Sequence, residues 1–72
     1  MKMGKYIHYK GELVEVMGVA NHSETLEKMV VYKTLTVKPD YPIGTLWVRP
    51  YEMFLEKVEV GGKKVPRFKF LK

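Results

Sequence analysis

Apolar and polar residues alternate in short runs along this chain, and a period of two predicts strands rather than helices. Residues 5–10, KYIHYK, set Tyr6, His8 and Lys10 against Ile7 and Tyr9, and Gly11 closes the run as a turn. Residues 12–20 place Val14, Val16, Gly18 and Ala20 on one face and Leu13, Glu15, Met17 and Val19 on the other. Their β-branched content favours a strand, and Gly18 in mid-run predicts a bulge or bend. Residues 28–37, KMVVYKTLTV, predict another strand, and 38–44, KPDYPIG, a loop with two prolines and a glycine.

A short strand over 45–49 is ended by Pro50, which also suits the first position of a single helical turn in PYEMF. Within that strand, alternation is read as Leu46 and Val48 inside, with Trp47 and Arg49 on the other face. Leu55, Val58 and Val60 then precede Gly61-Gly62, a two-residue hairpin signal, and a returning strand from Lys63. The fold class predicted is all-β: a small curled barrel of five or six short antiparallel strands with one short helical turn.

At 72 residues the chain supports one core, so residues 1–72 are expected to form a single domain, with a stability of about 4–11 kcal/mol. There is no cysteine, which excludes disulfides and thiolate zinc sites. The beginning of the sequence has no apolar leader segment and no run is long enough to span a bilayer, so the expectation is a cytoplasmic protein without membrane contact. The net charge of +5 is unevenly placed. Residues 1–56 carry seven Lys/Arg against seven Asp/Glu, whereas 57–72 carry six against Glu59 alone. The chain is a neutral body with a basic end.

Three segments hold candidate chemistry. In NHSETLE (21–27), His22, Ser23 and Glu24 are consecutive, and consecutive side chains of an extended chain diverge, which argues against a catalytic triad. Local bonding accounts for the same residues: Asn21 with Glu24 as a capping box, Ser23 or Thr25 in a hydroxyl turn, and Glu24 with Lys28 across one helical turn. Metal binding by His8, His22 and Glu24 has poor spacing, so neither metal nor cofactor is expected. In LWVRPYEMF (46–54), Trp47 and Arg49 read either as a barrel-sealing aromatic with a paired cation or as a binding platform. In KKVPRFKFLK (63–72), Lys63, Lys64, Arg67 and Lys69 read either as a solvated strand face or as phosphate contacts interleaved with Val65, Phe68 and Phe70.

These blocks together are similar to a small bacterial family, domain of unknown function 1653. The resemblance rests on GKYIHYKG at 4–11, EVMGVANHSETLE at 15–27, VVY at 30–32, LWVRPYEMF at 46–54 and GKKVPRF at 62–68. It implies an SH3-like β-barrel and signature positions at His22, Ser23, Glu24, Thr25, Trp47, Arg49, Pro50, Met53 and Phe54, without assigning them roles. The chain departs from the pattern at 36–45, where the connection is longer and Thr36 replaces an expected aromatic.

The functional expectation is a non-enzymatic module that binds nucleic acid or a protein or peptide through His22, Ser23, Glu24 and Thr25 together with Trp47 and Arg49. The alternative is a small hydrolase-like enzyme using His22 and Glu24, which requires a pocket beside His22. Nothing in the pattern specifies an oligomeric state.

Overall fold

Alternation over short runs is realised as seven strands and one helical turn in a computed structural model that describes residues 1–71. In chain order these are β1 (Gly4–His8), β2 (Leu13–Asn21), β3 (Lys28–Thr34), β4 (Leu46–Pro50), α1 (Tyr51–Leu55), β5 (Lys57–Val60), β6 (Lys63–Pro66) and β7 (Phe68–Phe70). Five strands form one antiparallel sheet in the order β4-β3-β2-β1-β7, and β5 pairs with β6 in a separate hairpin. The larger sheet is open, ending on β4 at one side and β7 at the other, so the all-β class holds while the barrel does not close. The strand count of seven exceeds the expected five or six because the segment from Lys63 breaks at Arg67. Its first half completes the hairpin, and its second half crosses to pair with β1.

Two local expectations are met by backbone geometry. The register between β2 and β3 shifts between Val16 and Gly18, leaving Met17 as the extra residue of a bulge. This bulge keeps Val14, Val16 and Val19 on the same side as Thr34, Tyr32 and Val30. Gly61 and Gly62 both take positive φ, 58° and 80°, as a tight hairpin turn requires. Neither glycine has neighbours that a Cβ would strike, so a side chain is disfavoured there by the backbone alone. Gly62→Val should therefore lower unfolding free energy by about 1–2 kcal/mol in urea titration, with no change in the folded spectrum beyond the turn.

The core lies on one face of the five-stranded sheet, where Tyr6, Val14, Val16, Val30, Tyr32, Phe54 and Phe68 are buried. Phe54 is delivered by α1 and stacks on Phe68 from β7 with ring centroids 4.1 Å apart and planes 5° from parallel. Tyr6 and Tyr32 pack against Phe54 at 5.4 and 5.6 Å. One turn of helix thus closes the core over three strands.

The face assignment of β4 is the reverse of the expectation. Trp47 pairs with Tyr32 and Arg49 with Val30, whose side chains are in the core, so Trp47 and Arg49 share the core side of the sheet. Leu46 and Val48 are instead on the outer face and exposed. A strand's side-chain period is two, and a one-residue error in register inverts every position.

Candidate functional site

The inversion of β4 creates a site, because it turns Trp47 and Arg49 toward a concavity where the core face opens to solvent. The hollow has a volume of about 260 Å³ and lies between β1, β3, β4 and the connection that carries Tyr41. Trp47 is fixed from two sides: its indole N–H donates to Thr34 Oγ1 at 2.7 Å, and Tyr41 meets it edge-on at 4.8 Å. Thr34 is itself buried, so this bond satisfies a hydroxyl that solvent does not reach. Trp47 retains 37% of its surface, enough to offer the ring to a ligand.

Arg49 is held less tightly. Its Nε donates to the Tyr32 hydroxyl at a long 3.5 Å, and its guanidinium carbon lies 5.6 Å from the centre of the Phe68 ring. Among the described residues no carboxylate pairs with it. The acid expected to neutralise Arg49 is therefore missing. Glu12 does line the hollow, but it faces Lys38 at 3.2 Å, and that ion pair clips the 36–45 connection to the turn between β1 and β2. Thr36 reinforces the clip by accepting from Leu13 N–H at 2.6 Å, which accounts for a hydroxyl where an aromatic was expected. An aromatic wall with one guanidinium that no carboxylate neutralises is suited to binding an anionic or carbonyl group.

His8 completes the wall. Its ring packs against Phe68 at 4.9 Å and Tyr9 at 4.6 Å, and Nδ1 accepts the Lys10 backbone N–H at 3.1 Å. With Nδ1 an acceptor, the neutral ring carries its proton on Nε2. Burial pushes the His8 pKa below 6.5; the Arg49, Arg67 and Lys10 charges act in the same direction, while Glu12 opposes them. A depressed histidine pKa means that the unfolded chain takes up a proton more readily, so stability falls as pH drops below 6.5. The melting temperature should therefore decline between pH 7.5 and pH 5. His8→Asn should remove part of that decline, as measured by calorimetry at matched ionic strength.

The segment 22–25 is elsewhere. His22 Nδ1 accepts backbone N–H groups from Glu24 at 3.1 Å and Thr25 at 3.4 Å, and Thr25 Oγ1 accepts Glu27 N–H at 3.2 Å. The main chain closes through Leu26 N–H to His22 O at 2.8 Å and His22 N–H to Glu27 O at 2.7 Å. The hydroxyl turn is thus present at Thr25, but histidine rather than Asn21 caps the backbone, and no helical turn forms for Glu24 and Lys28. Lys28 instead begins β3 opposite Asn21 and lies over the Tyr51 ring. This loop sits at the start of β3, whereas the far wall of the hollow lies at Thr34, about 20 Å along the strand, with Arg49 nearer the loop, opposite Val30. No residue of 21–27 lines the hollow.

The basic residues are also separated. Arg67 is bound to Glu56 at 2.9 Å, Lys64 stands opposite Glu59 in the hairpin, and Lys63 and Lys69 line a different, apolar groove. Lys72 lies outside the described residues. No three His, Asp or Glu side chains converge at metal-binding distance among the described residues, and no helix is long and apolar enough to cross a membrane.

A family model described as a protein of unknown function, DUF1653, matches residues 4–70. The chain belongs to the DUF1653 family. A DUF1653 protein from Bordetella bronchiseptica has a crystal structure with which this chain superimposes at a TM-score of 0.87. The two share 32% identity over 99% of this chain and 87% of that one. None of the curated proteins compared with the chain matches it. Membership therefore supports the fold, and the reading of the site rests on its own geometry. Sequence reasoning singled out Trp47 and Arg49 but missed His8, Tyr32, Thr34, Tyr41 and Phe68 as their neighbours. Those residues are brought together by pairing between distant strands and carry no local motif.

Proposed function

We propose that this DUF1653 protein is a non-enzymatic binding module that takes an extended peptide along β4, with alternate peptide side chains entering the hollow at Trp47 and Arg49. The observation that carries this reading is the position of those two residues on an edge strand. Among the described residues β4 pairs only with β3, so its other edge keeps free N–H and C=O groups that an added strand can use. Such a peptide gains main-chain bonds from the edge and selectivity from the hollow. Arg49 would select a carboxylate, from an acidic side chain or a peptide C-terminus, and Trp47 would cover the neighbouring apolar group.

A single-stranded nucleic acid is less well served. The hollow includes Glu12, and two of the four basic candidates, Lys64 and Arg67, face carboxylates of their own chain. The absence of cysteine suits a reducing cytoplasmic setting.

The test begins with peptides selected from a random displayed library and resynthesised. Their binding should change the emission of Trp47, the chain's single tryptophan, and slow amide exchange along β4. Oligothymidylate and oligouridylate form the second arm. If they perturb Trp47 and no peptide does, the partner is nucleic acid. If binding peptides leave both Trp47 and β4 unchanged, this edge is not the recognition site.

A further inference from the structure

A second concavity lies on the opposite side of the sheet from Trp47. The β5–β6 hairpin shares no ladder with the five-stranded sheet, and a groove of about 580 Å³ opens between it and the paired strands β1 and β7. Its volume falls within the range of about 300–1,000 Å³ typical of small-molecule sites. The floor is apolar, built from Ile7, Tyr9, Val60 and Val65. Lys69 pairs directly with Ile7 across β1 and β7, and Lys63 lies opposite Val60 at the hairpin turn, so an ammonium group borders the apolar floor from each strand system. Among the described residues neither lysine forms an ion pair.

We infer that this groove binds a free anionic amphiphile, a monomeric long-chain carboxylate, with its apolar body along Ile7, Tyr9, Val60 and Val65 and its carboxylate between Lys63 and Lys69. Charge complementarity selects the occupant. One wall of the groove, with both rim lysines, comes from the part of the chain that carries the whole positive excess, and among the described residues those lysines form no ion pair. An apolar floor with charge only at the rim excludes water from a chain while leaving a head group solvated. A polyanion requires a longer cationic track, which Lys64 and Arg67 do not extend because they face Glu59 and Glu56. The inference does not depend on the peptide reading of β4, since the two hollows share only His8 among their walls.

The experiment titrates isotope-labelled protein with dodecanoate below its micellar concentration and follows amide shifts. Saturable shifts should centre on Ile7, Tyr9, Val65 and Lys69. Dodecyltrimethylammonium, with the same chain and the opposite charge, should bind at least 10-fold more weakly. The double variant Lys63→Glu/Lys69→Glu should weaken dodecanoate binding at least 10-fold at an unchanged melting temperature, while Arg49→Ala should leave it intact. Equal binding of the cationic amphiphile, or saturation centred elsewhere, overturns the inference. So does binding to phosphatidylglycerol vesicles without binding of monomeric dodecanoate, which would assign the groove to a membrane surface.

Discussion

Phe54→Ala is expected to be the most destabilising single substitution in the chain, costing about 3–5 kcal/mol. The ring is 1% exposed, stacks on Phe68 and meets both Tyr6 and Tyr32, so its removal leaves a void bounded by three strands. Those strands cannot collapse into the void without breaking their own ladders. A chain of this length has only about 4–11 kcal/mol in total, so the variant should be largely unfolded or melt at least about 12 °C lower. Thermal scans by circular dichroism read this directly. Phe54→Leu refills much of the volume and should recover part of the loss. If Phe54→Ala melts within a few degrees of the parent chain, α1 does not close the core as described.

The second large effect concerns binding. Arg49→Ala is expected to weaken a selected peptide by about 2–4 kcal/mol, or roughly 30- to 1,000-fold, as removal of a central arginine anchor does. Its cost to folding should be small, about 1 kcal/mol, because the side chain makes one long hydrogen bond and one cation–ring contact. Trp47→Ala is a poorer probe. It also orphans the buried Thr34 hydroxyl, so binding and stability would fall together. Arg49 separates the two effects, and isothermal titration beside a thermal scan measures each.

The difference between these residues shows what the sequence could and could not convey. Strand positions followed from alternation, and the bulge beside Gly18, the Gly61-Gly62 turn and the helical turn after Pro50 followed from local backbone chemistry. Each depends on residues within a few positions of one another. The face of β4 depends on register against β3, and in a five-residue strand with apolar residues at Leu46, Trp47 and Val48 the pattern supports either face. Pairing between β7 and β1 is a contact between the two ends of the chain that no local signal marks. The hollow inherits both problems, since its wall joins residues from 8 to 68.

The 21–27 loop illustrates the opposite case. Two of its polar side chains, through His22 Nδ1 and Thr25 Oγ1, bond the loop's own backbone, and no helix cap forms. Leu26 sits at a φ of 64°, a left-handed conformation unfavourable to a leucine, and the bond from its N–H to His22 O helps to hold it there. Arg49, by contrast, has a hydroxyl and a ring beside it but no carboxylate partner among the described residues.

Recognition is proposed to reside at Arg49 and Trp47 and not in the 21–27 loop. The most direct measurement is a titration of the selected peptide against the parent chain, Arg49→Ala and His22→Ala, read by Trp47 emission at one pH and salt concentration. The parent and His22→Ala should give the same dissociation constant, and Arg49→Ala one at least 30-fold weaker. Equal affinity for Arg49→Ala, or loss of binding in a folded His22→Ala, would contradict the account.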